Sequence, residues 1–179
     1  RLGTARLINE QKFSDWTKLL RVTELSLAFL RKCSSSVKLP TARVYWLKQV
    51  QSEHFPLIRS LLSGKETKPK TDPSLKMIND LNLYMDSEGL VRSRGRINNI
   101  ISYGQDPILL SGHAHAVKLY IRHVHETSLH AGVSQTIAAL RRQVWIPKIR
   151  PVVKNVVGAC YTCKRLTGPT LIQPGPPDL

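Results

Sequence analysis

His125-Glu126-Thr127-Ser128-Leu129-His130, followed by Cys160-Tyr161-Thr162-Cys163, is the part of the sequence that decides the fold. Four residues separate the histidines, two separate the cysteines, and residues 131–159, 29 positions, lie between the pairs. Imidazole and thiolate are the donors of tetrahedral structural zinc sites, which use such local pairs. The spacing therefore predicts one structural zinc ion held by His125, His130, Cys160 and Cys163.

Other histidines and other uses of the cysteines compete with this interpretation. His113, His115 and His123 precede His125 and are alternatives for the first ligand. We prefer His125 because its distance from His130 suits a loop. A redox role for the cysteine pair is disfavoured because no βαβ pattern surrounds it. A catalytic zinc ion would need only three protein ligands and an open position.

Helical periodicity surrounds the two pairs. A first helix is expected from about His113 to His125, a second from an N-cap at Ser134 to Arg142, and a third where valines recur. Trp145-Ile146-Pro147 is expected to form a turn, with Trp145 in the core rather than serving as a stacking platform. The result is a zinc-stabilised three-helix module resembling a helix-turn-helix. The valines of the third helix are Val152, Val153, Val156 and Val157.

The chain upstream predicts helices and then a short β-hairpin. Helices are expected over 14–33, from Pro40-Thr41 towards Pro56, and around Leu57–Leu62, whereas 64–80 is expected to be a linker. Leu83–Met85 and Leu90–Arg92 predict the hairpin, which Ile108–Leu110 could join. The fold class is mainly α with a small hairpin. The expected divisions are a helical region at 1–63, the linker at 64–80, hairpin plus zinc domain at 81–166, and a Pro-rich linker at 167–179.

The charge balance favours a polyanionic partner. The chain has 27 Lys and Arg against 12 Asp and Glu, a net charge of +15. Residues 1–89 hold 15 basic and 9 acidic residues, whereas residues 90–179 hold 12 and 3. A balance of this size favours nucleic acid, although such charges also simply solubilise proteins. The expected phosphate contacts are Arg141, Arg142, Lys148, Lys164 and Arg165, and an alternation of Arg92, Arg94 and Arg96 suggests a further cationic strip.

Several of these stretches resemble a known family. The segment from His125 to Thr136, then Leu140-Arg141, Trp145-Ile146-Pro147 and Cys160-x2-Cys163-Lys164-Arg165, resembles the zinc-binding domain of integrases from Pao/BEL-type LTR retrotransposons. Trp16–Thr23 and Gly89–Ile97 resemble the Pol polyprotein segments that precede integrase in that class. One departure is Asp106 before Pro107, where the family would have histidine.

The resemblance implies a non-catalytic module of a longer polyprotein. It would fold on zinc, assist binding to the ends of element DNA and associate with itself or with other integrase domains, in the nucleus or in a cytoplasmic virus-like particle. Integrase chemistry needs an acidic triad in a separate core, and residues 90–179 contain only Asp106, Glu126 and Asp178. The first residue is not methionine, so we expect a piece of a longer chain, and no apolar run approaches the ~18 residues of a membrane span. The alternative is a protein-interaction or oligomerisation module from a host-domesticated or degraded element.

Overall fold

The computed structural model describes residues 7–33, 39–64, 73–94 and 106–167. These ranges form eight α-helices, one short 3-10 helix and four short strands, which confirms the predicted mainly helical class. None of the helices found in these ranges combines the length and apolarity needed to cross a membrane. Arg96, expected in the cationic strip, and the Pro-rich segment from residue 168 onward lie outside the described ranges. The helices are α1 Trp16–Cys33, α2 Ala42–His54, α3 Pro56–Leu62, α4 Pro73–Asp80, α5 His115–Thr127, α6 Val133–Arg141, α7 Ile149–Gly158 and α8 Tyr161–Thr167.

The first three helices begin at residues that favour the start of a helix, with side-chain caps before α1 and α2 and a proline in the first turn of α3. The Asp15 carboxylate accepts the backbone N–H of Lys18 at 2.7 Å, immediately before α1. The Thr41 hydroxyl accepts the N–H of Val44 at 3.5 Å before α2, and Pro56 occupies the first turn of α3. Side-chain oxygens satisfy N–H groups that have no partner within a helix. The three upstream helices are therefore confirmed at nearly their predicted bounds.

Part of the expected linker is a helix. Residues 73–80 form α4, which opens at a proline, the residue tolerated in the first turn. Met77 and Ile78 pack against a second, smaller core that contains Ile58, Leu83 and Leu109. Eight residues are too few to show a clear helical periodicity in the sequence, so residues 73–80 are predicted as part of the linker. The rest of the expected linker, residues 65–72, lies outside the described residues.

A four-stranded sheet joins the predicted hairpin to the zinc-binding half. The strands are β1 Leu83–Met85, β2 Val91–Ser93, β3 Ile108–Leu109 and β4 Val144–Trp145, in that spatial order. The first three are antiparallel, and β4 runs parallel to β3 with Ile108 opposite Val144. Trp145 was expected in a turn but lies in a strand, because the turn begins only after it. Two-residue strands are too short to show periodicity in a sequence.

The three helices of the predicted zinc module each contact the other two. Helix α5 begins at His115 and α6 at Val133, where Gly132 rather than Ser134 occupies the N-cap position. Ser134 is an exposed residue of the first turn. Thr136 instead donates its hydroxyl to the carbonyls of Ala131 and Gly132, both at 3.1 Å. The predicted N-cap was therefore wrong, although the helix was right.

One hydrophobic core joins the upstream helices to the zinc-binding half. Helices α1 and α2 both contact α5. The Gln51 side chain of α2 is fully buried and bonds to the backbone of β2 and β3. Within the described residues, the expected boundary at 64–80 does not separate two cores. The shared core includes Trp16, Leu19, Trp46, Ile121, Leu140 and Val153.

Candidate metal centre

His125 is the most deeply buried of the four predicted ligands. It lies at the end of α5, is fully buried, and places Nδ1 3.0 Å from the carbonyl oxygen of Ala131. A carbonyl oxygen only accepts hydrogen bonds, so Nδ1 carries the proton and the Nε2 lone pair remains for a metal. This arrangement fixes both the tautomer and the orientation of the ring.

The loop after α5 turns His130 back towards His125. Leu129 and His130 both have left-handed backbone conformations, with φ of 56° and 58°. Such conformations cost non-glycine residues roughly 1–2 kcal/mol each. The reversal is closed by the His130 N–H, which donates to the His125 carbonyl at 3.0 Å. The two imidazole rings then stand almost perpendicular, at 89°, with their centroids 5.0 Å apart.

The cysteines come from the junction of α7 and α8. The Cys160 N–H donates to the Val157 carbonyl at 3.0 Å, and the Cys160 carbonyl accepts from the Lys164 N–H at 3.0 Å. These bonds make a tight turn that directs both sulfurs inward. Burial and the adjacent Cys160 thiol raise the pKa of the Cys163 thiol. Both thiols must lose their protons to bind zinc.

Four of the six distances among the ligand atoms lie close to the edges of a zinc tetrahedron. With bonds of ~2.0–2.1 Å to nitrogen and ~2.3 Å to sulfur, the tetrahedral edges are about 3.3 Å between nitrogens and about 3.6 Å from nitrogen to sulfur. His130 Nδ1 lies 3.3 Å from His125 Nε2 and 3.4 and 3.7 Å from the sulfurs of Cys160 and Cys163. His125 Nε2 is 3.2 Å from Cys163 Sγ, and all four atoms lie within 4.8 Å of one another. The cluster therefore fits one structural zinc ion.

The competing histidines lie elsewhere. His115 Nε2 is 2.9 Å from the Phe13 carbonyl oxygen, so this side chain attaches the N-terminal segment to α5. His113 is exposed, and His123 lies on α5 without joining the metal cluster. No sequence signal pointed to the His115 contact, because its partner is a backbone carbonyl 102 residues away.

The predicted nucleic-acid contacts are all exposed but form two groups. Arg141 and Arg142 end α6 and Lys148 precedes α7, whereas Lys164 and Arg165 lie on α8 beside the cysteines. Helix α7 has ten residues, so about 15 Å separates the groups along its axis. The structure adds Arg150, which lines a cavity of about 230 Å³ with Arg141 and Lys148. Its position two residues after Lys148 could have suggested it.

Of the three arginines that suggested a cationic strip, the two that the structure describes do not form one. Arg92 is 7% exposed; its guanidinium bonds to the Asp86 carboxylate at 2.5 Å and to the Asp106 carbonyl at 2.7 Å. Arg94 is exposed and stacks over the Tyr84 ring at 4.8 Å. The Tyr84 hydroxyl donates to the Asp106 carboxylate at 2.8 Å, which gives a structural role to the residue that departed from the family pattern.

This geometry defines a class of module. Four protein donors leave no open position for water, so the centre has the ligand set of a structural zinc site in a small helical domain. Residues 113–168 match the family described as Integrase zinc binding domain, a range that contains all four ligands. No curated protein and no solved structure matches the chain.

Proposed function

We propose that this chain is the zinc-stabilised module of a retrotransposon integrase within a Pol polyprotein of the Pao/BEL type. It would help integrase bind the ends of element DNA and assemble, in the nucleus or in a virus-like particle. The observation that carries the proposal is the His-His-Cys-Cys cluster within a segment similar to integrase zinc-binding domains. Its ligands are His125, His130, Cys160 and Cys163.

Charge supports the DNA-binding part of the proposal. Residues 90–179 carry a net charge of +9, from 12 basic and 3 acidic residues. The cations of the α6–α7 turn and of α8 are exposed, as phosphate contacts must be. Contacts with phosphates position a protein on DNA without reading its sequence. We therefore expect binding of low sequence specificity.

The salt dependence of DNA binding tests this directly. About five phosphate contacts predict a slope of roughly −4.5 in log affinity against log salt concentration, or about a 500-fold loss between ~50 and ~200 mM salt. Fluorescence anisotropy with a labelled duplex measures the slope. Arg141→Ala plus Arg142→Ala should reduce it by nearly 2, and so should Lys164→Ala plus Arg165→Ala. Lys76→Ala, an exposed change on α4, is the control.

A slope near zero, or equal slopes for all four proteins, would reject the phosphate contacts. Zinc content is measured in each sample, so that loss of the fold is distinguished from loss of DNA contacts. An affinity that is insensitive to the duplex sequence would agree with the proposal.

Helix α1 favours oligomerisation as a second candidate function. Leu25 and Phe29 are one helical turn apart on α1, and 65% and 66% of their surfaces are exposed. Exposed apolar side chains at this spacing suit contact with another protein. Leu25→Glu plus Phe29→Glu should reduce the mass measured by light scattering while leaving zinc content unchanged. Equal masses for the variant and the wild type, with or without DNA, would exclude this role for α1.

A further inference from the structure

A groove of about 920 Å³ lies between the upstream half and the zinc-binding half. Helix α5 forms one wall with a single face, at positions 115, 118, 119 and 122, and α7 forms the other at positions 151, 152, 155 and 156. Residues from before α1, from the α2–α3 junction and from α4 close the end. The groove is therefore a property of both halves together and is separate from the metal cluster.

The floor of the groove is apolar and largely aliphatic. Leu119, Val152 and Val156 line it from the two helices, and Phe55 and Met77 line it from the upstream half. The close approach of the walls depends on Gly112, since a Cβ there would lie 2.6 Å from a methyl group of Val152. A floor of this kind binds apolar side chains rather than a hydrated polyanion.

The rim of the groove is cationic. Lys118 and Arg122 follow each other by one turn along α5, and Lys148 stands at the start of α7. Lys118 and Lys148 are exposed. Arg122 is half-buried, and its one hydrogen bond to a described residue is long, 3.5 Å, to the Ser14 carbonyl. No aspartate or glutamate lines the groove anywhere in the part of the chain that the structure describes.

We propose that this groove binds an amphipathic helix with an acidic flank, contributed by a partner protein segment. Helices are recognised in grooves through apolar residues at positions i, i+3, i+4 and i+7. Helix α5 has 13 residues and is about 20 Å long, which matches three to four turns of a docked helix. Carboxylates four residues apart on the docked helix would face Lys118 and Arg122.

The composition of the groove favours a peptide over nucleic acid. Single-stranded nucleic acid binds through aromatic platforms beside cations, but Phe13 and Phe55 are the only Phe, Tyr or Trp side chains among the described lining residues. The phosphates of a DNA duplex would make no favourable contact with the aliphatic floor of the groove. Lys148 belongs to both surfaces, but Lys118 and Arg122 are not among the proposed DNA contacts, so changing these two residues tests the groove separately.

The test uses the zinc-loaded chain and a fluorescein-labelled peptide of about 14 residues, a length of about 20 Å when helical. The probe has leucines at i, i+3, i+4 and i+7, with flanking glutamates. Reversing two charges, Lys118→Glu plus Arg122→Glu, replaces two attractions by repulsions and should weaken binding at least about tenfold. Lys154→Glu plus Arg21→Glu makes the same change in net charge at exposed sites outside the groove. It should weaken binding less than about twofold.

Matched peptides test the floor without altering the protein. Replacing the leucines of the probe by serine, or its glutamates by lysine, should abolish binding. Equal binding of the three peptides, or equal effects of the two protein variants, would overturn the proposal. So would absence of probe binding at millimolar concentration.

Competition with duplex DNA tests whether the groove binds nucleic acid rather than a helical peptide. If DNA displaces the probe, and Lys118→Glu plus Arg122→Glu weakens DNA binding as strongly as probe binding, the groove binds nucleic acid and the proposal fails. If the reversed variant loses zinc or helix content, Lys118→Gln plus Arg122→Gln replaces it, with a smaller expected loss. Failure of the DNA-binding proposal would leave these peptide measurements unaffected.

Discussion

At the scale of single residues, the metal centre depends on groups that are not ligands. The Ala131 carbonyl selects the tautomer of His125, and the left-handed conformation of His130 turns its ring towards the same point. Loss of a hydrogen bond that orients a metal ligand typically changes metal affinity 10–100-fold. The site is thus built by the backbone of one loop as much as by four side chains.

Loss of a zinc ligand should break the zinc-mediated connection between the loop after α5 and the junction of α7 and α8. In Cys160→Ser we expect less than one zinc ion per chain and a large loss of helical circular dichroism, because structural zinc contributes ~10–16 kcal/mol in small zinc-finger peptides. Atomic absorption and far-ultraviolet spectra, before and after chelation, measure both effects. Cys33→Ser is the matched control, since Cys33 is exposed and outside the cluster. Unchanged zinc content in Cys160→Ser would refute the assignment.

The sequence predicted the ligands because metal binding requires particular residue types at local spacings. His125, His130, Cys160 and Cys163 could be identified from the chain alone, and the structure brings them together. The role of Arg92 could not, because an arginine in a strand looks the same whether its partner is solvent or Asp86. Its burial depends on a contact with the Asp106 carbonyl, 14 positions away.

At the scale of elements, the β1–β2 hairpin is held by a buried ion pair at its turn. Asp86 accepts N–H bonds from Glu88 and Leu90 as well as the bond from Arg92. Gly89, with φ of 75°, provides the left-handed step that this turn requires. Burial raises the pKa of the Asp86 carboxyl, but the Arg92 guanidinium and the backbone donors outweigh it, so the pKa lies below its ordinary value of 3.8.

The hairpin should therefore lose stability in acid. Because the folded state lowers the pKa of Asp86, its contribution is fully present above pH 3.8 and is lost as the pH falls through the lower folded value. Urea unfolding should show Asp86→Asn clearly less stable than the wild type near neutral pH and a shrinking difference below pH 3.8. Asp80→Asn, at an exposed site on α4, corrects for general acid effects, including loss of zinc. A difference that does not change with pH would contradict this account.

Element prediction succeeded where periodicity was long and failed where it was short. Helix α1 has 18 residues, and its pattern predicts it to within two residues, whereas α4 has only eight residues and its pattern predicts a linker. Strand β4 has two residues, and its pairing with β3 comes from tertiary contact alone. Such short elements form because of tertiary contacts, and a single sequence does not show which residues will be in contact.

At the scale of the whole molecule, the two halves share a core and should remain associated without a covalent link. Trp16 and Trp46 belong to the same cluster as Ile121 and Leu140. A recognition sequence for a site-specific protease, placed at residues 67–71, would allow the chain to be cut there. We expect the two pieces to co-elute in gel filtration and to retain zinc, because described residues on both sides of the cut form the shared core.

The control for this experiment is the cut chain carrying Gln51→Leu. That change leaves buried backbone groups without partners, at a cost of about 1–3 kcal/mol each, so its pieces should separate more readily. Separation of the unmodified pieces at micromolar concentration would show that the shared core is too weak to join the halves.

The Gln51 amide has a consequence for how such a chain can be inherited. Its Nε2 donates to the carbonyls of Val91 and Leu109, and its Oε1 accepts from the Val91 N–H, all at 2.9 Å. A carboxamide has the same donor and acceptor groups as a peptide bond, so this side chain forms hydrogen bonds to β2 and β3 as a backbone amide would. A recombination event that joined this zinc-binding half to an unrelated upstream half would need a new amide at the same point. The two halves should therefore be inherited as a single unit.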